Sequence, residues 1–265
     1  MTKSIPLFVA LAFGIAAGHA AIAAGPQAAS APTPETSALP QMFANTEVAA
    51  KVRGRQYVAL PFRGVAAWVD PNGASPAWYV DSVRGIAGTH EGFFRLGDRK
   101  LKPLDKAARR EFHRDMASRL TLPPALQETF GTGRRELVLL TAFDCEGCAW
   151  LQGVLAQHAH ELDVRIHYLI GTLDPGDEDS METVRAITCA PSPTDEYAKL
   201  AKDEDHEPPE PPQDCVGLGG AFGYAVTLLG ANYTPWLIDR QSGEVIPFSS
   251  LDEDTIAAVL NGKQD

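Results

Sequence analysis

Leu137-Val138-Leu139-Leu140-Thr141-Ala142-Phe143-Asp144-Cys145-Glu146-Gly147-Cys148 is the stretch that decides the fold. Leu137 to Phe143 is a nearly continuous apolar run of strand length, the pattern of a strand buried on both faces. A Cys-x-x-Cys dithiol follows at once. Beyond it, Leu151, Val154, Leu155, His158 and Leu162 recur at helical spacing, and Val164 to Ile170 is again strand-like. The order is strand, dithiol, helix, strand. It places Cys145 at a helix N-terminus, where unpaired N–H groups and the helix dipole favour a thiolate. Cys148 lies within one turn of it. Cys145 is therefore read as a nucleophile toward disulfides and Cys148 as the thiol that resolves the mixed disulfide.

The chain has four cysteines, and the other two are Cys189 and Cys215, with 25 residues between them. A four-cysteine zinc site usually repeats the C-x-x-C pair. Here Cys189 and Cys215 lack close Cys or His partners, and His206 is the only histidine in the interval. No metal and no cofactor is assigned. Cys189 and Cys215 read as a structural disulfide closing a long loop, worth roughly 3.5 kcal/mol in the chain-entropy model. The alternative is a second redox pair that relays electrons.

The first residues point to export. Lys3, the apolar run Ile5 to Ala17 and the small-residue pattern Ala21-Ile22-Ala23 have the layout of a cleaved secretory signal peptide over residues 1–24. A membrane anchor is the alternative, but the apolar run is short for a span. An exported protein meets oxidising surroundings, so disulfides persist. The mature protein is expected to be soluble and exported.

The formal charge is −11, from 34 acidic and 23 basic residues among 265, which disfavours a general nucleic-acid binder. Residues 174–214 hold thirteen of the acidic residues against Arg185, Lys199 and Lys202, so most of the net charge is local. The Pro-rich acidic run 203–212 reads as a solvated loop. It is expected to confer solubility or to steer basic clients.

Residues 25–45 read as a flexible linker. Residues 46–103 read as a small β-rich N-terminal domain, with strands at Gln56–Leu60, Val65–Val69, Trp78–Val83 and Phe93–Leu96. Its Trp68, Trp78, Phe93 and Phe94 are expected to be core. Residues 104–129 read as a linker helix, periodic from Leu104 to Leu122. After the dithiol segment come a helix at Met181–Ala190 and an apolar helical face at Leu218, Phe222, Ala225, Val226 and Leu229. Tyr233-Thr234-Pro235 follows, then a strand at Trp236–Asp239 and a hairpin partner at Val245–Phe248. A last helix is expected from Ser250 and Glu253, in capping-box spacing, to a stop at Gly262.

With these elements in order, the chain resembles the thioredoxin superfamily, in particular the DsbC/DsbG-type periplasmic disulfide isomerases. The resemblance is good over residues 130–265 and looser over 46–125. It implies an α/β fold: a thioredoxin-like catalytic domain with a helical insertion, preceded by a small α+β N-terminal domain and a linker helix. It implies a cis Thr234–Pro235 bond beside the dithiol, with the Thr234 backbone pairing to an extended substrate. It matches the family's second disulfide to Cys189 and Cys215. It also implies a homodimer formed through residues 46–103, exported clients that carry disulfides, and a membrane electron donor that keeps the dithiol reduced.

One departure lies between the cysteines. The family usually has Gly and a bulky residue there, and this chain has Glu146 and Gly147. A carboxylate beside Cys145, with Asp144 on its other side, opposes thiolate formation. His158 reads as a packed histidine, Trp150 as a rim or packing residue, and Trp236 as core. Three functions follow as expectations: a thiol:disulfide isomerase or reductase, an assembly factor dedicated to a secretion or conjugation apparatus, or a soft-metal-binding thioredoxin-fold protein.

Overall fold

A computed structural model describes residues 38–262 apart from 73–74, 98–99, 204, 216, 218 and 248–250. The signal-peptide segment and most of the linker read from the sequence lie outside the described residues. The described chain begins with a 3-10 turn, Gln41–Phe43, and a short helix, α1 (Glu47–Val52), capped by the Thr46 hydroxyl, which accepts from the Val48 N–H at 3.2 Å. Six strands follow as an antiparallel meander in sequence order: β1 (Gln56–Ala59), β2 (Val65–Val69), β3 (Trp78–Asp81), β4 (Ile86–Thr89), β5 (Gly92–Gly97) and β6 (Lys100–Pro103).

The sequence reading has four of these strands. β4 escapes it because Ile-Ala-Gly-Thr is short and carries a glycine. Gly88 is required there, since a Cβ would stand 2.7 Å from the Phe93 Cα on the paired strand. β6 escapes it because Lys-Leu-Lys-Pro is charged, as suits a sheet edge. Alternation along β2 separates two cores. Ala66 and Trp68 pack with Phe43 and Val48 under α1, while Val65 and Ala67 face the main core with Tyr79, Ile86 and Phe93. Trp68 and Phe93 are buried; Trp78 and Phe94 are half-buried.

Helix α2 (Lys106–Arg119) is shorter at both ends than the apolar periodicity predicts. The Asp105 carboxylate caps it by accepting from the Ala108 N–H at 2.8 Å. Leu104 instead donates its N–H to the Phe93 carbonyl, and Leu120 is extended and bridges Phe62. Phe112 and Met116 are buried, with the Phe112 ring 4.6 Å from Phe93. Arg119 breaks the pattern of exposed charge on this helix. It is buried and grips Asp81 of β3 through two hydrogen bonds of 2.8 Å, while also donating to the Arg63 carbonyl. A buried guanidinium is tolerated only with such full pairing. The rest of the stretch read as linker helix is not helical in the α sense. Pro124–Leu126 is a 3-10 turn, and Gln127–Thr129 forms β7, an edge strand of the second sheet.

That second sheet is built on β8 (Arg135–Ala142). Helix α3 (Glu146–Gln157) crosses from it to β9 (Val164–Gly171), which pairs parallel to β8 over its full length from Arg135↔Val164 to Ala142↔Gly171. After β9 come α4 (Glu178–Cys189), α5 (Pro193–Lys202) and α6 (Gly219–Leu229), then β10 (Trp236–Asp239), β11 (Val245–Ile246) and α7 (Ile256–Leu260). The strand order is β11-β10-β8-β9-β7, antiparallel except for β8–β9. A parallel βαβ unit joined through a helix to an antiparallel hairpin is a thioredoxin-like arrangement, and α4 and α5 are the helical insertion.

Three details differ from the sequence reading. α5 lies within the acidic stretch that the sequence gives as irregular. Its Pro193 sits in the first turn, where a missing N–H costs nothing, and Tyr197 and Leu200 turn inward. β11 ends at Ile246, and Phe248 lies outside the described residues. α7 starts at Ile256, not near Ser250, which is also outside them; Gly262 follows the helix with φ +79°. Among the described residues no helix is long and apolar enough to cross a membrane.

The larger of the two apolar cores runs from Phe62 to Leu260. The Tyr79 and Tyr224 rings meet at 6.1 Å, and the His113 Nδ1 of α2 lies 2.8 Å from the Leu228 carbonyl of α6. Arg135 ties the ends of the second sheet together. It donates to Asp239 of β10 and to the carbonyls of Val259 and Leu260 of α7, at 2.6, 2.7 and 2.8 Å.

Candidate active site

Cys145 is the N-cap residue of α3, in extended backbone immediately after β8. Its carbonyl accepts from the N–H groups of Cys148 and Ala149, both at 3.0 Å, which starts the helix. Its sulfur accepts from the Cys148 N–H at 3.2 Å, so the sulfur occupies the place a serine or aspartate oxygen takes at an ordinary N-cap. Cys145 is 8% exposed and Cys148 only 1%, and the two are joined as a disulfide with Cα atoms 5.2 Å apart. Both cysteines are buried, Cys145 less completely than Cys148, and they pack with Ala142.

The loop before β10 closes the site from the other side. Thr234–Pro235 is a cis peptide bond. The Thr234 hydroxyl donates toward the Cys145 sulfur at 3.5 Å, and the Thr234 carbonyl oxygen stands 3.8 Å from the same sulfur. These residues are 89 positions apart in sequence, and the pairing of β10 with β8, Trp236↔Leu140, brings them together. The four residues singled out at this site therefore converge. Cys189 and Cys215 are bonded to each other as a second disulfide, Cα–Cα 6.1 Å, between the end of α4 and the segment before α6.

The electrostatics have two sides. The N-terminus of α3 favours an anion at Cys145. Asp144 and Glu146 are both exposed on either side of it. Asp144 has a structural part that the sequence does not reveal: its carboxylate accepts from the Thr172 hydroxyl at 2.7 Å and the Leu173 N–H at 2.9 Å, fastening the end of β8 to the end of β9. Trp150 is exposed on α3, Trp236 is buried, and His158 caps the C-terminus of α3 with its Nδ1 3.1 Å from Glu161. Beneath the site, Thr141 of β8 shares a 2.5 Å hydrogen bond with Tyr197 of α5, whose hydroxyl is pushed up to about 12 by burial.

An apolar groove of about 380 Å³ adjoins the Thr234 loop, lined by Leu173, Pro175, Met181, Phe222, Val226 and Tyr233 among others. The sequence reading misses it, because its walls come from three segments with no shared pattern. A larger cleft of about 720 Å³ lies over Trp78, Phe94 and Leu101 of the N-terminal sheet and has no cysteine in its lining. Among the described residues no three His, Cys, Asp or Glu side chains converge as a metal-ligand set.

No protein-family model matches the chain, and no curated protein does. Several solved structures are similar to it. A disulfide interchange protein from Neisseria gonorrhoeae is 16% identical with a TM-score of 0.41, covering 51% of this chain and 94% of its own. Proteus mirabilis ScsC in a compact conformation is 14% identical with a TM-score of 0.39, over 52% of this chain and 73% of its own. Helicobacter pylori DsbG is 10% identical with a TM-score of 0.34, over 74% of this chain and 98% of its own. The thioredoxin-like fold rests on the strand order and dithiol position of this chain itself.

Proposed function

We propose that the chain is an exported thiol:disulfide interchange protein acting on disulfides of other exported proteins, as an isomerase or reductase. The observation that supports this best is the Cys145 sulfur at the α3 N-cap, within reach of Thr234 at the cis Thr234–Pro235 bond, with Cys148 the more deeply buried of the two. In the reduced protein the Cys145 thiolate attacks a client disulfide. A Cys145–client S–S bond forms, the client S–S bond breaks, and the departing thiolate takes a proton. A second client thiolate can then displace Cys145, which isomerises the client. Alternatively Cys148 displaces the client thiolate, which leaves the Cys145–Cys148 disulfide and two electrons in the client. In this reading the Thr234 backbone holds an extended client segment beside the sulfur, Cys189–Cys215 is structural, a membrane donor restores the dithiol, and two copies pair through residues 46–103.

The test is refolding of a scrambled multi-disulfide protein. The wild type is expected to restore activity, and Cys145→Ser to abolish the effect. No rescue by the wild type, or equal rescue by Cys145→Ser, would falsify the reading. Expressed in cells, Cys148→Ala is expected to trap many unrelated clients as mixed disulfides; a single trapped partner would instead identify a dedicated assembly factor.

A further inference from the structure

We propose that a cavity between the β4–β5 turn, α2 and the end of α6 binds a tetrahedral oxyanion, a phosphate or sulfate group, through Arg109, His113 and His90. The site includes no residue of the dithiol site and does not rest on the interchange reading.

The cavity measures about 290 Å³, and His90, Phe93, Arg109, His113, Val226 and Thr227 are among the residues that line it. Each of its ionisable side chains is basic, and no carboxylate lines it. Arg109 is exposed, and its guanidinium has no hydrogen-bond or ion-pair partner among the described residues. The carboxylates nearest in sequence are engaged elsewhere. Asp105 caps α2, Glu111 pairs with Arg84, Asp115 pairs with Arg84 and Arg119, and Glu91 lines the separate cleft over Trp78 and Phe94. From the α6 side, residues 219–235 bring no charge at all, whereas Lys106, Arg110 and Arg114 add positive charge along α2. The cavity therefore carries a positive field that nothing lining it neutralises.

His113 is held in one orientation. Its Nδ1 lies 2.8 Å from the Leu228 carbonyl, so Nδ1 carries the proton and donates it there. Nε2 is left without a partner among the described residues. Gly230, at φ +69°, leaves that side of the ring uncovered, since a Cβ there would fall 3.0 Å from the imidazole. Once the ring is protonated, Nε2 becomes a second donor, charged and free to take an anion. Burial and then the nearby Arg109 hold His113 below its usual range. An oxyanion between the two side chains would offset their repulsion and favour the imidazolium, so the site takes up a proton with its anion. Donors brought together from three elements suit the several oxygens of a tetrahedral group, whereas a planar carboxylate is satisfied by the arginine fork alone.

The experiment uses the full mature protein, labelled with nitrogen-15, and sodium sulfate as the probe, at an ionic strength held constant with chloride. Sulfate keeps one charge state between about pH 5.5 and 7.5, so a change in affinity over that range belongs to the protein. The Gly92 and Gly230 amides are expected to shift saturably, with about tenfold tighter binding at the lower pH. Phosphate is expected to shift the same amides, and acetate to bind at least about fivefold more weakly than sulfate. Arg109→Gln, an exposed change that leaves the rest of the spectrum in place, should weaken sulfate at least about tenfold at both pH values. His113→Gln should leave little pH dependence. If that variant does not fold, the wild-type His113 Cε1–H titration decides the same point, because sulfate should move it to higher pH. No saturable shift with sulfate or none with phosphate, undiminished binding by Arg109→Gln, acetate as tight as sulfate, or a His113 titration that sulfate leaves unmoved would each overturn the site. None of these outcomes bears on the refolding test of Cys145.

Discussion

At the scale of single residues, the site holds a conflict. Cys145 gains from the N-terminus of α3 and from the Cys148 N–H, while Glu146 in the first turn brings negative charge to the same place. An acid there also stabilises the helix, so Glu146 serves the fold and opposes the thiolate. Glu146→Gln is expected to speed alkylation of reduced Cys145 by about two- to fivefold near neutral pH and to move the pH–rate profile to lower pH. Rates of iodoacetamide labelling across pH would measure this, and an unmoved profile would mean that solvent screens the carboxylate. Asp144 offers no such clean comparison, since it also fastens Thr172 and Leu173. Cys145 and Cys148 are legible from their spacing after a buried strand, whereas Thr234 and Pro235 are reached only through the family resemblance. The partners of Asp144 are not, since they lie 28 and 29 residues away on another strand's end.

At the scale of elements, the helical insertion shows both what patterning reveals and what it conceals. The Cys189–Cys215 bridge, the acidic run and α4 are visible in the sequence. α5 is hidden because Pro193 looks like a breaker and because acidic residues there look like solvent-facing ones. Glu196 in particular is buried, hydrogen-bonded to Lys199 and to His206 of the acidic run; burial alone would push its carboxyl up, but these two partners hold it below the usual range. Arg185 adds hydrogen bonds to the carbonyls of Pro212 and Cys215. The acidic run is thus mostly exposed yet fastened at several points along its length. Replacing the bridge by Cys189→Ala/Cys215→Ala is expected to lower stability by up to roughly 3.5 kcal/mol in urea denaturation of the oxidised protein. An unchanged midpoint would show that the bridge does not restrict the unfolded chain. In the N-terminal sheet, likewise, the four strands rich in aromatic and β-branched residues are legible, whereas β4 and β6 are formed by their neighbours' demand for pairing more than by their own composition.

At the scale of the whole molecule, one face of the N-terminal sheet, α2 and the thioredoxin-like part share the larger core, with His167 buried beside it and His113 half-buried at its edge. Burial holds His113, at the α2–α6 contact, below its usual range, and burial with the nearby Arg240 does the same to His167 on β9. A histidine whose folded value is depressed binds fewer protons when folded than when unfolded. Its contribution is therefore complete above about 6.5 and is lost as pH falls through and below that value. Glu128, raised by burial, works in the opposite direction. Urea midpoints are expected to fall between pH 7.5 and 5.5, and His113→Gln should flatten that slope; an equal slope in the variant would remove His113 from the account. The same core is organised around β8, and the rung Trp236↔Leu140 has a consequence for the chemistry. Cys145 lies five residues beyond one end of that rung, and Thr234 two residues before the other. Sulfur and loop are thus indexed to a shared rail, as two tools are set by one jig. Side chains around them can be exchanged to retune reactivity without realignment, whereas a one-residue insertion in β8 or β10 would turn a whole strand to the wrong face and separate the tools.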